Sequence, residues 1–392
     1  VKAPSLSLYV HVPWCVRKCP YCDFNSHGVG RGAELPEQEY LDALLADLDA
    51  DLPLVEGQGH KGRELVSIFI GGGTPSLMSG RFYRQLLRGI AERLKFAERI
   101  EITLEANPGT LEQGRFGEYR EAGINRLSLG VQSFQPHQLA ALGRIHSGDE
   151  ARIAVTSARQ AGFENLNIDL MHGLPGQDEA LALADLETAL SLSPTHLSWY
   201  QLTLEPNTEF HTHPPELPAD ETLWDIQDAG HALLEGAGFK RYEISAYARN
   251  GQASRHNLNY WSFGDYLGIG AGAHGKLSRP QADGPWHIER RWKTRQPQAY
   301  LRRRHDPRGF TAGHRRVETE ELPLEFAMNA LRLVDGVAIS TWQGTTGQEL
   351  SLLSHRLKEA RKKGLLVEDG KRLQASPRGL LFLNELLALI DE

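Results

Sequence analysis

Cysteine is scarce in this chain of 392 residues: there are three, and Cys15, Cys19 and Cys22 fall inside one stretch of eight. An odd, clustered set of thiols excludes a disulfide framework and suits a reducing compartment. No apolar run reaches the ~18 residues that a membrane-spanning helix needs, and no secretory leader opens the chain, so a cytoplasmic protein is expected. Net positive charge is lacking as well. The formal net charge is −7 at pH 7, which argues against nucleic acid as a main partner. The deficit is uneven: residues 290–316 hold ten Lys or Arg against one acid, Asp306. Such a run reads as a solvated linker, with a docking patch for anionic groups as the alternative.

What cysteine there is forms Cys15-Val16-Arg17-Lys18-Cys19-Pro20-Tyr21-Cys22. Three thiolates this close converge on one object. An iron–sulfur cube has four irons, each wanting one outside ligand, so three cysteines would leave one iron open to a small molecule. A structural zinc held by the three thiolates and His11 or His27 is the alternative. Zinc sites are usually built from separated Cys-x-x-Cys knuckles, and there is no second knuckle here.

The length predicts one large domain plus a smaller one. Val-, Leu- and Ile-rich runs alternate with helical patterns, the signature of βα units on a parallel sheet. Strands are expected near Leu6–Val12, Leu65–Ile70, Glu101–Ala106, Arg126–Val131, Asn165–Leu170 and His196–Leu202, with amphipathic helices at Pro36–Leu52, Arg81–Leu94, Leu111–Ala122, Asp149–Ala161 and Asp178–Leu190. Thr110-Leu111-Glu112-Gln113 reads as a capping box for the third helix. Six units make an open barrel whose reactive groups belong in the loops after each strand. Gly71-Gly72-Gly73-Thr74, Glu105, Gln132 and Asp169 all fall at such strand ends. On their own, the glycines could equally be a tight turn, Gln132 a tie between loops and Arg144 a solvated charge.

The cysteine spacing, with an aromatic residue directly before the last cysteine, resembles the cluster loop of the radical S-adenosylmethionine (SAM) superfamily. The resemblance implies a [4Fe–4S] cluster on Cys15, Cys19 and Cys22, with SAM chelating the open iron. Tyr9, Tyr21, Gly72, Gly73, Thr74, Glu105, Gln132, Arg144 and Asp169 are spaced as in the branch of anaerobic coproporphyrinogen III oxidase, where they line the SAM site. By that likeness the glycines meet the methionyl amino group, and Glu105 and Asp169 the adenosyl part. The implied fold is α/β: a partial (β/α)6 radical-SAM barrel over 1–290 with a haem-binding extension, a basic linker over 291–317, and a C-terminal winged-helix-like α+β domain over 318–392. In that tail, Asp369-Gly370 reads as a hairpin turn and Ser376-Pro377 as a helix start.

Beyond the sixth strand lie His256-Asn257-Leu258-Asn259-Tyr260-Trp261 and the glycine-rich stretch Gly268–Gly275, expected to be flexible enough to approach a flat ligand. His256 is either a hydrogen-bonded core residue or an iron ligand, imidazole being the usual proximal group for haem. His-Asn-x-x-Tyr-Trp resembles the mark of haem chaperones within the same branch. That likeness implies haem on His256, with Asn257 or Asn259 holding the ring and Tyr260 and Trp261 offering flat surface. Phe24 stands where the oxidase has a fourth cysteine, and only eight residues precede Tyr9, both departures from that enzyme. The expectation is therefore a chaperone that binds haem and a SAM-ligated cluster and passes haem to acceptor proteins, membrane-bound ones included, with room for a homodimer and no residue assigned to catalysis. An oxygen-independent coproporphyrinogen III oxidase is the first rival. A SAM-binding regulator acting through the winged module is the second.

Overall fold

The computed structural model describes residues 3–55, 62–279, 281 and 286–391. Its centre is a parallel array in chain order: β1 (Leu6–Val12), β2 (Leu65–Gly72), β3 (Phe96–Ala106), β4 (Arg126–Gln132), β5 (Asn165–His172) and β6 (His196–Gln201). Neighbouring strands pair in parallel throughout. Both faces are covered, so the strands are near-continuous apolar runs; β1, Leu-Ser-Leu-Tyr-Val-His-Val, is buried at all but Tyr9. The six strands expected from sequence begin where they were expected except β3, which starts five residues earlier, at Phe96.

Helices α1 (Glu37–Val55), α2 (Gly80–Ala91), α3 (Phe116–Ala122), α4 (Gly148–Gln160) and α5 (Glu179–Ser191) return the chain between strands. The Ser79 side chain accepts from Phe82 N to start α2, which then buries Phe82, Tyr83, Leu86, Leu87 and Ile90. Each such fully buried side chain contributes about 1.5–3 kcal/mol, and Leu86→Ala would cost about 2–5 kcal/mol. The capping box expected at Thr110–Gln113 falls on a side chain outside the described residues, that of Thr110. Gln113 donates to the Pro108 and Glu150 carbonyls, 3.1 Å each. A reciprocal box forms at Ser147 and Glu150, opening α4.

The sheet does not stop at six strands. After α6 (Asp220–Gly236), β7 (Lys240–Glu243) and β8 (Ala246–Ala248) extend it antiparallel beyond β6. Helix α7 (Arg255–Trp261) follows, and β9 (Asp265–Ile269) then pairs in parallel with β1 on the opposite side. Antiparallel β10 (His274–Arg279), β11 (His287–Lys293) and β12 (Thr311–Arg316) complete a twelve-stranded sheet. The glycine-rich stretch 268–275 is thus the turn between two strands. Gly270 has φ +103° and Gly272 φ +81°, values that β-carbons tolerate poorly.

The segment 291–317 is not a linker. It supplies β12 and the end of β11, and most of its cations are paired with carboxylates. Lys293 Nζ donates to Asp47 Oδ1 at 2.5 Å and to Asp51 Oδ2 at 2.7 Å, all three buried against α1. Arg290 pairs with Glu325 at 2.6 Å, joining the sheet to the tail. The tail has its own core around Phe326, Trp342, Leu353, Leu357 and Leu386, shared with Tyr242, Phe263 and Trp286 of the larger body. Val337–Ala338 pairs with Arg372–Leu373, and Ser376 caps the helix that begins at Pro377. Among the described residues no helix is long and apolar enough to cross a membrane.

Candidate functional site

The cysteine loop is clasped at its base, where Trp14 and Cys15 pair with His27 and Gly28. Cys22 N donates to Cys19 O at 3.1 Å, turning the chain so that all three thiols face one cavity of about 500 Å³ at the C-terminal ends of the parallel strands. All three thiols are free, and burial pushes those of Cys15 and Cys22 up. The neighbouring thiols add to this, Cys22 and Cys19 raising Cys15 and Cys19 raising Cys22, as expected of thiols that share a site. Among the described residues no three His, Cys, Asp or Glu side chains sit tightly enough to hold a single ion; a four-iron cube spreads its outer ligands over a wider cage than one zinc does. His11 is not a free fourth ligand. Its Nδ1 is 3.0 Å from Tyr9 OH and its Nε2 2.8 Å from the Asn25 carbonyl.

Tyr21, Gly72, Gly73, Thr74, Glu105, Gln132, Arg144 and Asp169 line this same cavity, as the strand-end argument expects. The glycines have a packing reason beyond any ligand: a Cβ at Gly71 would come within 2.8 Å of Glu105 Oε2, and one at Gly72 within 2.5–2.8 Å of the His11 ring. Glu105 accepts from Gly72 N at 3.1 Å, and burial, then the Asp169 charge, pushes its carboxyl up to about 8. Asp169, also raised by burial, accepts from Ser128 Oγ at 2.9 Å and Asn167 Nδ2 at 2.8 Å. Arg144 is no solvated charge. Its Nη2 donates to Gly130 O at 2.6 Å and Asn107 Oδ1 at 2.8 Å, and Nη1 lies 3.7 Å from Cys19 Sγ. Gln132, held at φ +70°, accepts from Tyr200 OH at 2.7 Å, which makes it the tie between strands.

Two expected residues lie elsewhere. Tyr9 and His256 line a second cavity of about 560 Å³, together with His11, Phe24, Tyr260, Tyr266, His274 and Arg295. Helix α7 divides the two cavities by its own periodicity. His256 and Tyr260, four apart, face the second cavity, whereas Asn257 and Trp261, also four apart, face the first. The helix is anchored by Glu101, whose carboxylate accepts from Arg255 N at 3.1 Å and His256 N at 3.2 Å, where a negative charge also complements the helix terminus. His256 Nδ1 is 3.0 Å from Ser67 Oγ, which is 2.7 Å from Ser7 Oγ, itself accepting from Asn259 Nδ2 at 2.9 Å. The ring is therefore held by Ser67 rather than directly by an asparagine. Burial lowers its pKa to about 3, and Nε2 has no hydrogen-bond partner among the described residues. Phe24, 59% exposed, borders both cavities.

Sequence reasoning missed Asn107, Ser198, Tyr200, Glu243 and Arg332 in the first cavity. The strand-end rule could have found the first three. Glu243 and Arg332 come from the added strand β7 and the tail, which carry no local signal. The donors Trp261 Nε1, Arg144 Nε and Arg332 Nε are buried without a partner among the described residues, so this wall has hydrogen bonds to give to a bound molecule.

Residues 9–188 match the Radical SAM superfamily and residues 317–382 the HemN C-terminal domain. The heme chaperone HemW of Escherichia coli (strain K12) is 49% identical over 389 residues, covering 99% of both chains. The heme chaperone HemW of Haemophilus influenzae is 49% identical over 99% of this chain and 98% of its own. Among solved structures, coproporphyrinogen III oxidase from Escherichia coli superposes with a TM-score of 0.80, covering 99% of this chain and 90% of that one at 22% identity, a likeness of fold.

Proposed function

The chain belongs to the family of the heme chaperone HemW, within the radical SAM superfamily, and from that premise we propose that it binds haem, carries a SAM-ligated [4Fe–4S] cluster and hands haem to acceptor haemoproteins in the cytoplasm or at the membrane. The observation that carries the haem part is His256. It is a neutral imidazole fixed through Nδ1, with an unpartnered Nε2, in an aromatic-lined cavity apart from the cysteines. With Nδ1–H donating to Ser67, the Nε2 lone pair is the one offered to iron. Tyr9, Tyr260 and Tyr266 supply flat walls for a porphyrin face.

Cys15, Cys19 and Cys22 would hold the cluster, which when bound supplies an electron beside the SAM sulfonium. Gly72, Gly73 and Thr74 would receive the methionyl end of SAM, and Glu105 and Asp169 the adenosyl end. Glu105 stays largely protonated at neutral pH, so one buried carboxyl can donate while its neighbour accepts.

The test is an anaerobic hemin titration of wild type and His256→Ala, with coproporphyrinogen III turnover assayed alongside. The variant should lose or shift the Soret band and keep the cluster absorption, and neither protein should form protoporphyrinogen. An unchanged spectrum in the variant would make His256 a packing residue, and decarboxylation at catalytic rates would return the oxidase reading.

A further inference from the structure

Most of the charge of the basic segment 290–316 is paired within the protein. Seven of its ten cations pair with carboxylates: Arg290, Arg291, Lys293, Arg303, Arg304, Arg308 and Arg315. Arg295, Arg302 and Arg316 have no carboxylate partner among the described residues, and of these only Arg295 lines a described cavity, the one that contains His256. Its position is fixed. Asn25 Nδ2 donates to the Arg295 carbonyl at 2.8 Å and to the Ala271 carbonyl at 2.9 Å, and Thr294 N donates to Phe310 O at 2.9 Å. The guanidinium is exposed at the rim, whereas His256 is buried in the depth of the same cavity.

We propose that Arg295 is the anionic-group anchor of the second cavity, receiving the propionate carboxylates of a tetrapyrrole whose metal faces His256. This inference rests on the haem reading given above. A flat apolar dianion entering edge-on must leave its carboxylates at the solvent side, because burying them unpaired costs several kcal/mol. Arg295 is the cation on the cavity lining, and a guanidinium pairs with a carboxylate through two parallel hydrogen bonds. The lining also has one acid, Asp23. It opposes a dianion, so Arg295 stands against a local repulsion and Asp23→Asn should not weaken binding.

The experiment compares hemin with hemin dimethyl ester, whose propionates carry no charge, on the full-length protein. Arg295→Glu and Arg295→Gln are set beside Arg302→Glu, a control with the same change in net charge outside the cavity. Arg295→Glu should weaken hemin roughly tenfold at low salt, with the loss shrinking as salt is added. It should bind the ester as wild type does, and Arg302→Glu should match wild type on both ligands. Circular dichroism and cluster content show that the variants are folded. Equal losses for hemin and ester, or equal losses at 295 and 302, would overturn the assignment of Arg295. If His256→Ala binds hemin unchanged while the Arg295 variants lose affinity for hemin alone, the anchor stands and the His256 ligation fails. A wild type that takes up no hemin overturns both.

Discussion

The two cavities that α7 separates are close in size, about 500 and 560 Å³, and opposite in chemistry. The first gathers three thiols, the carboxyls of Glu105, Asp169 and Glu243, a guanidinium beside Cys19 and donors without partners. The second gathers tyrosines, imidazoles and one cation at its rim. A cavity dense in unpaired polar groups is costly to leave dry and suits a small polar ligand held at many points, whereas an aromatic slot suits a large flat one held at few. One helical turn keeps them apart, because residues four apart share a face and residues one apart do not. The two ligand sets should therefore be separable by mutation.

Removing a thiol tests that separation most severely. Cys19→Ala should abolish cluster reconstitution, seen as loss of bound iron and sulfide, while hemin uptake persists; a variant that still binds about four irons would remove Cys19 from the ligand set. A smaller effect is expected from Glu105→Ala, which takes away one buried partner of the first cavity. Calorimetry should show SAM weakened by about 0.5–1.5 kcal/mol, the worth of a hydrogen bond from a neutral carboxyl, with the cluster intact, and an unchanged affinity would move the adenosyl end elsewhere. The smallest concerns pH. Burial lowers His256 to about 3, so its imidazole stays neutral as pH falls from 8 to 5, where a solvent-exposed histidine would begin to protonate near 6.5. Soret-monitored hemin ligation should accordingly be flat over that range, and a midpoint near 6.5 would place the ligand on an exposed ring. The same lowered pKa has a cost in stability: the unfolded chain takes up a proton below about 6.5 that the folded chain refuses until about 3, so His256 destabilises the fold progressively as pH falls through that window.

The first cavity was far more legible in the sequence than the second. Its residues sit at the ends of strands that announce themselves by apolar runs, and three cysteines in eight residues need no tertiary context to be noticed. Arg144 and Gln132 were visible as candidates, but not their partners, since Gly130, Asn107 and Tyr200 become neighbours only when the strands align. The second cavity is assembled from β1, the end of the cysteine loop, α7 and the β9–β11 edge, whose contributions lie up to 286 positions apart in the chain from Tyr9 to Arg295. There, β11 and β12 are so basic that composition reads as a solvated run. Some of those charges pair locally, with Glu289 and Asp306, but the partners Asp47 and Asp51 on α1 and Glu325 in the tail have no local trace. The motif at 256–261 singled out α7 by resemblance alone, and its division between two cavities followed only from the fold.

Independence of the two cavities is the central claim, and one titration addresses it. Hemin is added anaerobically to the protein already loaded with cluster and SAM, and the visible spectrum is followed together with the SAM that remains bound. The account predicts a Soret band that grows to one haem per chain on top of an unaltered cluster absorption, with SAM retained. Release of SAM or loss of the cluster signal in step with hemin uptake would contradict it.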